Sequence, residues 1–224
     1  RDYLSMFQRE AQEYEAFSRR RFFEQIVTGG LSVSEISETA KSMDIDLNAP
    51  GYNILLFSLS SAEYDGSAPE GYTDALAQLQ DRVTNYFLSR AELILFRWNI
   101  TTHAVLIKGG AEEIMSRTAE CVWGIQALCE AAGHEIVWHI ACGSPVARLS
   151  ALPACFSEAS RILSYRYLCP EEHILTEESI QSVQKTRTAA REPNKPEVDQ
   201  ERIRCFFSSG SAEEIESFLD QLLL

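Results

Sequence analysis

At 224 residues the chain has room for one large domain, or for one of roughly 150 residues with appendages, and 45% hydrophobic against 24% charged residues is an ordinary balance for a protein able to bury a core. A net charge of −13 argues against nucleic-acid binding by this segment and disfavours acidic substrates. No apolar run approaches the ~20 residues that span a bilayer, and no charged start followed by an apolar core marks a signal peptide, so a cytoplasmic protein with no membrane partner is expected. Because it begins at Arg1 and not at Met, the chain reads as an excerpt from a longer polypeptide.

Residues 1–27 contain neither Gly nor Pro, and Leu4, Phe7, Ala11 and Tyr14 recur at three- and four-residue steps with Phe17 beside them, which predicts a helix. The stripe fits a parallel dimer seam and fits equally a helix lying on its own domain. The helix continues through Phe22, Phe23 and Ile26 and stops at Gly29 and Gly30, a pair suited to a left-handed cap. Ser32 and Glu35 form a capping box that opens a second helix to about Met43. Asn48, Pro50 and Gly51 break the chain, and residues 52–59 follow as a strand with the continuous apolar character of a central one.

After a loop over 60–71, Tyr72, Leu76, Leu79, Val83 and Phe87 lie at helical spacing. Residues 93–108, LILFRWNITTHAVLIK, then read as two aliphatic runs joined by a polar turn, a hairpin buried in a sheet. Ile100 resists the positive φ of a tight two-residue turn, so a slightly longer loop is expected. Ile114, Thr118, Cys121, Ile125, Leu128 and Ala132 make another helical stripe, ended by Gly133. Residues 136–142 form the next strand, and a helix from about Pro153 to Leu168 carries Phe156, Ala159, Ile162 and Leu163 inward.

Strand, helix, hairpin, helix, strand is the order of two β-α-β halves sharing one sheet. It predicts an α+β, ferredoxin-like antiparallel sheet with helices on one face and the first and third strands central, flanked by N-terminal and C-terminal helical segments. The expected division is a helical connector at 1–48, the α/β domain at 49–175, a polar flexible linker at 176–200 with Pro193 and Pro196, and a helical segment at 201–224.

No catalytic or metal-binding constellation emerges, and no cofactor is expected. Six cysteines at wide spacing form no CxxC pair and read as small buried thiols. His134 and His139 are an odd number of residues apart and point to opposite faces of a strand, while His103 and His173 stand alone in the sequence. Residues 99–101 match an N-glycosylation acceptor that a cytosolic chain never presents to that machinery. Neither Gly pair is followed by the Lys-Ser/Thr of a phosphate-binding loop.

The hairpin resembles that of the GGDEF-type diguanylate cyclases, in which a strand ending in Arg and an aromatic enters a Gly-Gly-Asp-Glu-Phe turn and returns as an aliphatic strand. Arg97 and Trp98 stand where the Arg-aromatic pair stands; Val105, Leu106 and Ile107 match the returning strand; residues 99–103 replace the turn without its glycines or acids. The metal-binding aspartate that the family's cyclases place at the end of the first strand is also missing from Phe57, Ser58, Leu59, Ser60 and Ser61. Without acids to hold divalent cations, cyclase chemistry has no electrostatic basis, so no enzyme activity is expected.

Degenerate domains of this kind occur as the middle region of YesN-like response regulators, between a receiver and an AraC-type helix-turn-helix, and the chain resembles that region across most of its length. RRRFFEQIVTGGLS is similar to its opening helix, AKSMDIDLNAPGYNILLFSL to the approach to its first strand, and IACGSPVARLSALPACFSEASRILSYRYL to its last strand, Gly-Ser turn and Glu-Ala helix. The resemblance implies a two-component regulator of transcription, its receiver and DNA-binding domains outside this chain, with DNA bound only through the latter.

Two roles are expected in consequence. One is a non-catalytic connector whose copies are joined as a homodimer through Leu4, Phe7, Ala11 and Tyr14. The alternative is a sensor binding a small molecule or nucleotide in the old cleft near Arg97, Trp98 and Asn99. The dense basic run at 19–21 is only three residues long, too short to offset the acidity toward DNA.

Overall fold

The computed structural model describes residues 2–61 and 74–182, with side chains described from residue 14 onward. Among the described residues the main elements follow in the order α1 (Asp2–Val27), α2 (Val33–Ser42), β1 (Gly51–Ser61), α3 (Asp74–Leu88), β2 (Leu93–Arg97), β3 (Thr102–Gly109), α4 (Ile114–Glu130), β4 (Ile136–Cys142), α5 (Leu152–Ser164) and β5 (Ile174–Leu175). The sheet order is β2-β3-β1-β4-β5. β1 and β3 are central, as the β-α-β halves predict. All pairings are antiparallel except β4 with the short β5, a strand that the sequence pattern does not announce.

Side-chain alternation sends Leu55, Phe57 and Leu59 of β1 into a core with Leu79, Val83 and Phe87 of α3 and Cys121 and Ile125 of α4. The opposite face is covered too, which corrects the expectation of helices on one face. Phe23 of α1 stacks on Phe96 at 4.3 Å and meets Phe156 of α5 edge-on at 6.0 Å. The physical reason is legible in β1 itself, where Ile54, Leu55, Leu56 and Phe57 are each at most 1% exposed: an unbroken apolar run needs cover on both sides. The hairpin obeys the same rule unevenly. Residues 104–107 of β3 are fully buried, whereas β2 is an edge strand in which Ile94 and Leu95 keep partial exposure.

Local signals explain the ends of elements. Gly29 takes φ +73° after α1, and Gly133 takes φ +90° after α4. The Ser32 side chain accepts from the Glu35 amide while the Glu35 carboxylate accepts from the Ser32 amide at 2.8 Å, completing the capping box. Where β4 turns toward α5, a Cβ on Gly143 would come within 2.3 Å of the Cys155 carbonyl, so only glycine permits that approach. The Glu158 carboxylate accepts from both the Ser144 amide at 2.7 Å and its hydroxyl at 2.9 Å, which fastens the turn to α5.

Residues 1–48, expected as a connector apart from the sheet domain, share one compact unit with it, running from Arg1 to Gln181. Phe22, Phe23, Ile26 and Ile36 are what bind them in. Residues 177–182, at the start of the expected linker, are helical. Thr176 caps that turn through Ser179, Arg161 pairs with Glu177, and Ile180 is fully buried. The rest of that stretch, the 201–224 segment and Tyr72 lie outside the described residues.

Candidate functional site

The tip of the β2–β3 hairpin and the adjoining end of β1 form the place where the sequence resemblance puts catalysis. Strand β2 ends at Arg97 and β3 begins at Thr102, so the loop is longer than a two-residue turn. Among the described residues only Asp44 takes a positive φ without being glycine, so Ile100 never has to. Asn99 makes this possible. Its side-chain oxygen accepts from the Thr101 amide at 3.0 Å and the Thr102 amide at 2.7 Å, holding the loop as an Asx turn. The Trp98 and Asn99 amides both donate to the Thr102 carbonyl at 3.0 Å.

Of the three expected cleft residues, Arg97 and Asn99 meet and Trp98 packs elsewhere. Trp98 packs edge-on against Phe156 at 4.7 Å and Phe23 at 6.3 Å, joining the aromatic cluster between β2, α1 and α5. Asn99 is spent on the turn. Arg97 is exposed, its Nε 3.4 Å from the Asn99 carbonyl, and it lines a groove on the outer side of β2.

At the end of β1, Ser58 and Ser61 are buried, and the Ser60 hydroxyl lies 3.5 Å from the Val137 carbonyl. The stretch 57–61 is hydroxyl, aliphatic or aromatic, with no carboxylate. Beside it His103 stacks on Phe57 at 5.0 Å, nearly parallel, and its Nδ1 is buried without a hydrogen-bond partner. Burial, helped by the Arg97 charge, lowers the His103 pKa to about 4. A neutral imidazole with an apolar ring partner adds packing and no positive charge.

His173 is not alone in space: it stacks on Trp138 at 4.2 Å, its Nδ1 is 2.8 Å from the Trp138 carbonyl, and its ring lies 6.0 Å from His139. The short β5, which carries His173 to β4, is why the sequence does not pair them. Burial first, then the charge of His173, lowers the His139 pKa. Among the described residues no three His, Cys, Asp or Glu side chains are grouped to hold a metal ion.

The five described cysteines are free thiols. Burial pushes all five thiols up, to about 12 at Cys129 and Cys142 and about 11 at Cys155. Cys205 lies outside the described residues.

Of the expected dimer seam, Leu4, Phe7 and Ala11 fall within the backbone of α1, and their side chains are outside the described set. Tyr14 is 74% exposed and Phe17 61% exposed. The half of α1 nearest the domain is therefore split, with Phe22, Phe23 and Ile26 facing inward and Tyr14 and Phe17 facing out. No helix among the described residues is long and apolar enough to cross a membrane.

Sequence reasoning missed the arginines around the β2 groove, Arg19, Arg20 and Arg90. The run at 19–21 is visible in the sequence, but Arg90 comes from another element and only the fold brings it near.

No curated protein matches the chain. The GGDEF-like domain family matches residues 28–165, from the end of α1 through α5, more than half of the sequence. With the β2-β3-β1-β4 sheet and the hairpin at its edge, that match identifies the chain as a member of the GGDEF-like domain family.

Proposed function

We propose that this GGDEF-like domain is a non-catalytic connector in a two-component response regulator that controls transcription, setting how two copies of the polypeptide are held. The observation that carries the reading is the hairpin tip. Where cyclase chemistry needs carboxylates around divalent cations, the tip offers an Asn99 locked into its own turn, a neutral stacked His103 and a row of serines at the end of β1. The cytoplasmic setting, the receiver and the AraC-type DNA-binding domain belong to this proposal and rest on the resemblance of the flanking motifs. A net charge of −13 supports leaving DNA contact to another domain.

The exposed Tyr14 and Phe17 support α1 as the joining element. They continue the stripe of Leu4, Phe7 and Ala11 and are not used by the domain's own core. A small-molecule sensor built on Arg97, Trp98 and Asn99 is less well supported, because Trp98 is packed against Phe156 and Asn99 is committed to the turn.

Mass in solution tests the joining role. The wild-type chain is expected to dimerise, and Tyr14→Glu with Phe17→Glu to raise its dimer dissociation constant at least tenfold without changing its circular dichroism. A wild type that stays monomeric at high concentration, or a double variant that dimerises unchanged, would remove the mechanism.

A further inference from the structure

The outer edge of β2 is open, and the groove along it meets the hairpin tip only at Arg97, so a role for this edge does not rest on the connector reading. In an antiparallel ladder alternate residues spend their backbone groups on the neighbour. The Lys108 amide donates to the Glu92 carbonyl and the Trp98 amide to the Thr102 carbonyl, which fixes the even-numbered residues as those facing β3. The amides and carbonyls of Leu95 and Arg97 therefore point outward, and no hydrogen bond reaches them from any other described residue. A bare edge of this kind is a template for another strand.

A groove of about 560 Å³ follows that edge along all of β2, walled by α1 on one side and by the end of α3 on the other. Arg19, Arg20, Arg90 and Arg97 line it, together with Lys108, against Glu15, Asp44 and Asp46. Lys108 is already paired with Asp46, donating to its carbonyl and lying 3.7 Å from its carboxylate, which leaves the four arginines facing two acids. On a chain of net charge −13 this is a local reversal of sign. Arg90 sits over the Tyr86 ring at 3.8 Å and is held there by its bond to the Tyr86 carbonyl, so its charge is fixed in place. Arg19 Nε is buried without a hydrogen-bond partner.

We infer that the β2 edge docks an extended acidic segment of a partner protein, which adds to the sheet as a further strand. Its backbone bonds to Leu95 and Arg97, and its carboxylates meet Arg19, Arg20 and Arg97. A second copy of this chain is the wrong occupant, because a symmetric edge-to-edge contact would set the arginine cluster against itself.

The test uses a fluorescein-labelled octapeptide of alternating Thr and Glu, its Thr-Lys counterpart, and inorganic phosphate as competitor. Anisotropy is expected to show saturable binding of the Glu peptide and none of the Lys peptide. Hydrogen exchange at the Leu95 and Arg97 amides is expected to slow at least tenfold on binding. Arg20→Glu with Arg97→Glu, both exposed positions, should weaken binding at least tenfold. Leu95→Pro, which removes the outward amide together with a side chain packed on the core, should abolish binding in a chain whose circular dichroism is unchanged. No saturation at millimolar peptide, equal binding of the two peptides, or binding without protection of the two amides would overturn the inference. Displacement by millimolar phosphate with exchange unchanged would make the groove a small-anion site and overturn it as well.

Discussion

The two strands of the hairpin and the loop that joins them have opposite relations to the family they resemble. The strand side chains Phe96, Ala104, Val105, Leu106 and Ile107 are at most 2% exposed and pair in register with each other and with β1. The loop at 98–101 is closed by one asparagine side chain and carries no acid. Burial of apolar area holds the strands, so their residue types are constrained by packing alone. Metal-dependent chemistry would constrain the loop, and no such constraint is visible in its residues. Frame and chemistry thus depend on different side chains, so the packing of the strands is independent of what the loop residues do.

Substitutions can break the comparison at several strengths. Leu106→Ala removes a fully buried side chain at the centre of the sheet and should destabilise the chain by about 2–5 kcal/mol in urea unfolding. Gly143→Ala should follow at about 1–3 kcal/mol, because its Cβ meets the backbone of α5, which cannot swing aside as a side-chain tip can. If both changes proved neutral, the sheet would not be the rigid element described.

A smaller effect comes from pH. The folded pKa of His103 is lowered to about 4 from an ordinary 6.5, so the unfolded chain binds more protons between those values and stability rises with pH across that window. The contribution is complete above about pH 6.5 and is lost as pH falls toward 4. His139, also lowered, acts in the same direction. His103→Phe keeps the ring against Phe57 and removes the titration. Urea midpoints from about pH 7 down to about pH 4 should therefore fall less steeply in that variant, and an unchanged slope would show that His103 is not the buried neutral group described. Asn99→Ala is expected to have the least effect, about 1 kcal/mol, since the two amides it leaves can turn to water at an exposed tip.

The frame was readable in the sequence because the signals were local. Apolar runs marked β1, β3 and β4; Gly29 and Gly133 marked helix ends; Ser32 and Glu35 marked a start. The second covered face was implied by β1, whose run lacks alternation, yet it required α1 and α5 to be placed, and contacts such as Phe23 on Phe96 join residues far apart in the chain. β5 is two residues long and has no periodicity to detect. At the site, the missing carboxylates were legible as residue types. Where Trp98 and Arg97 go was not: neighbours in sequence, they diverge because one ring finds Phe156 while the guanidinium stays in the groove on the other side of the strand end.

Turnover of GTP bears most directly on the division between frame and chemistry. The folded wild-type chain, incubated with GTP and magnesium or manganese, is expected to yield no cyclic dinucleotide above a no-protein control. Product above that control, abolished by a change at Asn99 or His103, would place a working active site at the tip and contradict the account.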